Sequence, residues 1–209
     1  MQRPPARCRR TDDDRAATRA ALRARRLALP AAQRIAAAEG VARQLTQFKP
    51  FLDAQRIAGY WAVAGELPLA CLLGGLRARG QQYLLPVTGS RRRLRFAPWQ
   101  AGIAVVPNRH GIPEPECDED ALIDAAELDV VLVPLVGFDR RGHRLGFGGG
   151  YYDRAFAFLR ERDAPGKPLL IGIAYARQEL ATIEAAAWDV RLDYVASENE
   201  LIECRPERQ

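Results

Sequence analysis

Lysine, histidine and cysteine are scarce in this 209-residue chain and long hydrophobic runs are missing, and each shortage closes off a class of function. The two histidines, His110 and His143, are too few for a histidine metal cluster, and both are expected in loops without a part in acid–base catalysis. Cys8, Cys71, Cys117 and Cys204 lie far apart without a C-x-x-C pair, which argues against a disulfide framework or a zinc site and for reduced thiols. Arg, Asp, Glu or Gln interrupts every apolar stretch well short of the roughly 20 residues that span a bilayer. The basic start, MQRPPARCRRTDDD, has no apolar stretch behind it and does not read as a secretory signal, so a cytoplasmic address without a membrane partner is expected.

What is present is an ordinary globular composition, 48% hydrophobic and 27% charged. A chain of this length buries roughly 70% of its unfolded-state surface, enough for one sizeable core. The formal net charge of +5 points to an anionic partner. Lys49 and Lys167 are the only lysines, so arginine carries the basic character. The partner is then a nucleic acid or a polyanionic small molecule, and the distribution of the arginines must decide.

Residues 1–14 read as a flexible polar tail, 15–203 as a single α/β domain and 204–209 as a C-terminal tail. Thr11 followed by Asp12, Asp13 and Asp14 predicts a helix N-cap with acids at the positive end of the dipole. A helix follows from about Arg15 to Leu29. On it Arg15, Arg19, Arg23 and Arg26 share one narrow stripe, while Ala16, Ala20, Ala24 and Leu27 fall on a separate face. After Pro30, Ile35, Ala38, Val41, Leu45 and Phe48 at steps of three and four predict a second helix.

A strand over Arg56 to Val63, a helix over Leu67 to Arg79 closed by Gly80 and a strand over Tyr83 to Val87 then set a βαβ rhythm. Leu94 to Phe96 reads as a short strand, and Gly111 to Glu116 as a rigid loop stiffened by two prolines. Leu128 to Val136 is a continuous apolar run, the pattern of a central parallel strand covered on both faces. A helix over Tyr151 to Arg162 and strands over Leu169 to Ala174 and Tyr194 to Ala196 follow. The whole predicts a three-layer α/β/α sandwich with a mostly parallel central sheet, in which ligands bind beyond the carboxyl ends of the strands.

The segment Val131 to Arg154 carries the strongest chemical signal: a buried strand leads through a polar turn to Gly146, Gly148, Gly149 and Gly150 and into a helix. Glycines let the backbone approach a phosphate and turn its N–H groups inward, and a helix N-terminus adds partial positive charge. Arg144 contributes a full charge. The spacing is neither the dinucleotide fingerprint, which wants a glycine where Tyr151 stands, nor Walker A, which wants Lys-Ser or Lys-Thr after its last glycine. Asp153 would sit beside a bound triphosphate, where magnesium takes one or two carboxylates together with phosphate oxygens. Glu66, after Gly65 at a strand end, can accept hydrogen bonds from ring N–H donors.

The run Arg144-Leu-Gly-Phe-Gly-Gly-Gly-Tyr-Tyr-Asp153 resembles the nucleotide loop of the 5-formyltetrahydrofolate cyclo-ligase family. Arg15 to Pro30 is similar to that family's N-terminal basic helix, Gly59 to Leu67 to its folate-contacting strand end, and Ile112 to Pro115 to its I-P-x-P loop. With Trp188 to Val195 similar to its C-terminal segment, the likeness covers nearly the whole chain in order. It implies ATP contacts from Arg15, Arg19, Arg144, Leu145, Gly146, Phe147, Gly148, Gly149, Gly150, Tyr151 and Tyr152. It implies folate contacts from Trp61, Glu66, Phe147, Gly148, Gly149, Gly150 and Tyr151, magnesium ligation by Asp153 and Asp189, and catalytic roles for Arg144 and Tyr151.

Three positions depart from other members: Arg15 stands where lysine is common, Phe147 where others have arginine and Gly149 where others have lysine. Phosphate neutralisation in the loop would then rest on Arg144. The implied activity is ATP-dependent conversion of 5-formyltetrahydrofolate, with or without a polyglutamate tail, to 5,10-methenyltetrahydrofolate. A monomer that binds no nucleic acid is expected. Two other classes compete: an α/β enzyme acting on a phosphorylated sugar or acyl-thioester, and a nucleic-acid-binding protein that uses the arginine stripe.

Overall fold

The computed structural model describes residues 6–89, 94–160, 162 and 165–204, with side chains from Asp14 onward. In chain order, the first half holds α1 (Ala6–Leu27), α2 (Ala31–Leu45), α3 (Lys49–Asp53), β1 (Arg56–Ala58), α4 (Ala70–Ala78), β2 (Gln82–Thr88), β3 (Leu94–Pro98), β4 (Val105–Pro107) and β5 (Pro113–Pro115). The second half holds β6 (Val130–Pro134), β7 (Gly137–Phe138), β8 (Arg144–Leu145), α5 (Tyr151–Ala155), β9 (Leu169–Ile173), β10 (Tyr194–Ala196) and β11 (Leu201–Glu203).

Seven strands form one sheet in the order β11-β10-β9-β6-β1-β2-β3, parallel throughout except at its edges, where β3 and β11 run antiparallel to their neighbours. The apolar run predicted as a central strand is β6, the middle strand, with Val130 to Val133 all buried. Its side chains alternate between two cores as the strand period requires. Val130 and Leu132 join Ile57, Leu85 and Ile171 under α2 and α4, whereas Val131 and Val133 join Leu84, Leu170, Phe138 and Phe156 on the other face. That second layer is thin, because its helical cover is short: α5 and the 3₁₀ turns Ala125–Glu127 and Ala157–Leu159.

Several expectations change. Helix α1 covers Ala6–Leu27, so Thr11 lies within it rather than at its cap and most of the expected tail is helical. Residues 205–209 of the expected C-terminal tail lie outside the described residues. Ala16, Ala20, Ala24 and Leu27 face solvent, while Leu22 and Arg26 are buried, so the arginine side of α1 is the side that meets the protein. Ile35 is also exposed, unlike Ala38, Val41 and Leu45. The predicted strand from Arg56 stops at Ala58, because Gly59 lies against the Tyr83 ring and the chain then turns at Ala64 and Gly65, both at positive φ.

The proline loop is in part an edge strand: Val106 pairs with Glu114 between the two prolines, which lack only donors that an outer edge does not use. Its hairpin is fixed by Glu114, whose Oε1 accepts from the Thr88 N–H and hydroxyl and from Asn108 Nδ2. The helix expected over 151–162 ends after five residues and tightens into 3₁₀. β11 has no alternating signal long enough to be read from the chain.

Helix α2 approaches the β10–β11 turn through Gly40, where an added Cβ would lie 2.8 Å from the Glu198 Cα and carbonyl oxygen. Backbone cannot swing aside. Gly40→Ala is therefore expected to cost about 1–3 kcal/mol of stability by overpacking, despite better helix propensity. A lowered urea midpoint at unchanged slope would show it; an unchanged midpoint would mean that α2 slides freely on that turn.

Candidate functional site

The glycine loop follows β8 and is exposed from Phe147 to Gly149. Gly148 and Gly150 take φ of 98° and 62°, conformations that a side-chain-bearing residue resists. At Gly146 and Gly148 an added Cβ would meet nothing within 4 Å, so the backbone there borders open space that a ligand can enter. Gly150 is the N-cap of α5. Because α5 has only five residues, its dipole adds little, and anion binding must rest on loop N–H groups and arginines.

The arginine stripe of α1 lies against this loop. Arg15 Nη2 donates to Asp189 Oδ2 at 3.2 Å, and Arg19 Nε donates to the Gly146 carbonyl at 3.0 Å. Further along, Arg23 and Arg26 each sit 5.5 Å from the centre of the Phe147 ring. The spacing predicts a cationic edge, and the structure turns that edge toward the glycine loop.

Arg144 takes a different place from the one expected. It is buried, with Nη2 on Asp153 Oδ1 at 2.5 Å and Nη1 donating to the Val190 carbonyl, so its charge is already matched by a carboxylate. Asp153 Oδ1 also accepts the Val190 N–H at 3.2 Å, which brings it one residue from Asp189. Asp189 in turn uses Oδ2 for Arg15 and for the Ala186 N–H. Among the described residues no three His, Cys, Asp or Glu side chains gather as a metal cage. The two aspartates each keep one oxygen without a hydrogen bond among the described residues, which fits magnesium held by carboxylates together with phosphate oxygens.

Helix α1 also reaches the turn that carries Glu66. That turn is unusually constrained: the Ala64 carbonyl accepts two bonds from Arg26, at 3.1 and 2.9 Å, the Gly65 carbonyl accepts from Tyr175 Oη, and the Leu67 carbonyl from Tyr60 Oη. Glu66 is 7% exposed, accepts the Val63 N–H through Oε2, and burial pushes its pKa up to about 7 against that hydrogen bond and the charge of Arg26. Burial draws the Arg26 pKa down, and Glu66 opposes the shift. Trp61, the other expected substrate residue, packs edge-on against Trp99, which packs in turn on Tyr83.

Among the described residues, three buried polar atoms lack a hydrogen-bond partner: Arg15 Nε, Trp99 Nε1 and Tyr152 Oη. A buried donor without an acceptor is costly, so such atoms mark where a ligand would complete the structure. One belongs to the arginine stripe and two to aromatic residues expected or found about the Glu66 side. Tyr151 is held by Arg109, which donates to its hydroxyl from the tip of the β4–β5 hairpin, and by Arg154 5.2 Å from its ring. His110 also reaches the Tyr151 hydroxyl at 3.2 Å, whereas His143 is held by Asp139.

Sequence reasoning missed Arg26, Tyr60, Trp99, Arg109 and His110 as site residues. Only Arg26 had a signal, its place on the stripe; the others arrive through long-range packing that no local pattern announces.

The family model for the 5-formyltetrahydrofolate cyclo-ligase family matches residues 11–198. The Escherichia coli K12 5-formyltetrahydrofolate cyclo-ligase is 30% identical over 184 residues, covering 87% of this chain and 99% of its own. The Haemophilus influenzae 5-formyltetrahydrofolate cyclo-ligase is 31% identical over 142 residues, 67% of this chain and 74% of its own. Among solved structures, the Aquifex aeolicus 5,10-methenyltetrahydrofolate synthetase superposes with a TM-score of 0.77 at 26% identity, covering 93% of this chain and 95% of the other. A matching family model across most of the chain, full-length relatives and a shared fold converge on one conclusion: this chain belongs to the 5-formyltetrahydrofolate cyclo-ligase family.

Proposed function

We propose that this protein converts 5-formyltetrahydrofolate to 5,10-methenyltetrahydrofolate with hydrolysis of ATP to ADP and phosphate. The observation that carries the reading is that the arginines of α1 contact two unlike half-sites, one after β1 and one after β8. One is an open glycine loop lined by α1 arginines. The other is a buried carboxylate among aromatic rings. The first suits a triphosphate and the second a flat heterocycle with N–H donors.

ATP supplies a leaving group for the formyl oxygen, which an amide-like formyl cannot lose unaided. In the proposed sequence the formyl oxygen attacks the γ-phosphorus and ADP departs. N10 then adds to the formyl carbon and gives up its proton, and phosphate leaves. The chain needs no covalent nucleophile; it needs alignment and charge neutralisation. Arg15 and Arg19 would meet phosphate oxygens beside the Gly146 to Gly150 amides, a role supported by the contact of Arg19 with the Gly146 carbonyl. Arg144 orients Asp153, which with Asp189 would hold magnesium. Glu66 would accept the pterin N–H donors, with Trp61 and Trp99 flanking the ring and Tyr151 closing the loop side. The chain is read as a monomer of the cytoplasm; among the described residues no helix is long and apolar enough to cross a membrane.

The nucleic-acid alternative is disfavoured by the placement of the stripe. Arg26 is buried and Arg15 and Arg19 are half-buried against Asp189 and the glycine loop, which leaves Arg23 as the exposed member of the stripe, too little for a long phosphate backbone to track.

Purified protein with 5-formyltetrahydrofolate, magnesium and ATP is expected to develop the near-ultraviolet absorbance of the methenyl product, and none without ATP. Arg19→Ala should raise KM for ATP by about tenfold, the scale of one charge-assisted contact, while KM for the folate changes little. Equal KM values for ATP would remove Arg19 from the phosphate site.

The pH dependence follows from Glu66. Accepting pterin donors requires the ionised carboxylate, so kcat/KM for the folate should fall as pH drops through about 7. Glu66→Gln should flatten that limb and lower kcat/KM by roughly a hundredfold. Stability runs the other way: a folded pKa raised from 4.5 to about 7 means that the contribution of protonated Glu66 is complete below 4.5 and lost as pH rises through 7. Glu66→Gln should therefore keep at least the wild-type Tm at pH 8. A clearly lower Tm there would mean that the ionised carboxylate stabilises the fold.

A further inference from the structure

Arg26 is 1% exposed, yet among the described residues no carboxylate hydrogen-bonds to it. Its guanidinium faces carbonyl oxygens instead: Nε and Nη2 donate to Ala64, and Nη1 donates to Leu135 at 3.2 Å. These two carbonyls belong to different parts of the cleft. Ala64 is the non-glycine residue at positive φ (48°) in the turn that carries Glu66, and Leu135 is the first residue beyond β6 on the path to the glycine loop. The same guanidinium lies 5.5 Å from the ring centre of Phe147 inside that loop.

A buried cation whose hydrogen bonds go to neutral carbonyls lacks the directly paired carboxylate that would best offset its desolvation. A planar fork is the side chain able to reach two carbonyls and a ring face together; a lysine reaches a single point. Scaffold support alone would not require contact with both half-sites. Among the described residues, the hydrogen-bond and ring partners of the Arg26 guanidinium are a carbonyl two residues from Glu66, one on the path between β6 and the glycine loop, and a ring in the loop itself.

We propose that Arg26 is a positioning residue for the cyclo-ligase reaction. Its one guanidinium sets the turn that presents Glu66 to the folate and, through Phe147, the loop that receives the nucleotide, so that both half-sites take their spacing from helix α1. The inference rests on the reading of the site given above. The ionisable groups that face Glu66 are Arg26 from α1, Tyr60 after β1, Tyr152 of α5 and Tyr175 after β9. Burial raises the pKa of each of the three tyrosines, so Arg26 is the charge among these groups that favours ionised Glu66.

Three variants test this, each first checked for cooperative melting. Arg26→Met should lower kcat by at least about tenfold, raise KM for both substrates and move the acid limb of the folate kcat/KM profile to higher pH. Arg26→Lys should restore the position of the acid limb, since the charge returns, but not the KM values, since the fork does not. Phe147→Leu, at an exposed residue, should raise KM for ATP severalfold and leave the acid limb in place. If Arg26→Met does not fold, the other two decide. Wild-type KM values in Arg26→Lys, or an unmoved acid limb in a folded Arg26→Met, overturn the proposal. A wild-type protein that never forms the methenyl product would instead overturn the functional reading itself.

Discussion

The contact on which the cleft depends is the one between the arginine side of α1 and backbone carbonyls at the carboxyl end of the sheet. Arg19 holds the Gly146 carbonyl, and Arg26 holds those of Ala64 and Leu135. These are groups that the ends of strands leave unpaired, and buried carbonyls must find donors somewhere. Guanidinium supplies several donors in one plane, which explains why a helix so rich in arginine can pack inward. Leu22, wedged with Val136, Leu145 and Ile183, adds the apolar part of the same interface. Without α1 the glycine loop and the Glu66 turn would lack this shared support.

Charge is arranged accordingly. The chain carries a net +5, but the stripe that suggests a polyanion on the surface is absorbed into the cleft wall. Arg144 goes further, with its charge matched by Asp153 at 2.5 Å. An arginine already paired cannot neutralise a triphosphate at full strength; it can hold a carboxylate still for a metal. Under the proposed function the phosphates would instead meet the loop amides together with Arg15 and Arg19, which are less buried than Arg144 though they contact Asp189 and the Gly146 carbonyl. This division suits a loop with Phe147 and Gly149 in it, because the helix brings the positive charge that those two positions lack.

How much of this is legible in the chain depends on whether the signal is local. β6 can be read directly, since a strand buried on both faces has no choice but to be apolar throughout. The glycine loop and its following tyrosines are equally plain, because phosphate approach demands small residues in sequence. The faces of α1 defeat pattern reading for a physical reason: alanine is tolerated on an exposed helix face as readily as a buried one, and arginine can be buried when carbonyls await it. The hairpin of β4 and β5 is hidden by its prolines, which read as loop although an outer edge tolerates them. Trp99, Tyr60 and His110 reach the site from elements whose neighbours are decided only by the completed sheet.

The Glu66 turn shows why the site had to be partly illegible. Ala64 at φ 48° is a conformation that local preference opposes, and it persists because Arg26, Tyr60 and Tyr175 each hold a carbonyl of the same short segment. Arg26 comes from α1 and Tyr175 from the segment after β9, while Tyr60 closes the turn from its own segment. The turn is therefore in part a product of tertiary structure, and its effect falls on one carboxylate: Glu66 is buried near tyrosine rings, where burial raises its pKa and a backbone hydrogen bond and a neighbouring guanidinium resist the rise. Under the proposed function such a carboxylate would bind a donor-rich ring more strongly than a solvated one, since a hydrogen bond in a low-dielectric site is electrostatically stronger. The unpartnered Trp99 and Tyr152 atoms fit the same logic, for a pocket built to be completed by its ligand leaves some of its own polar atoms waiting.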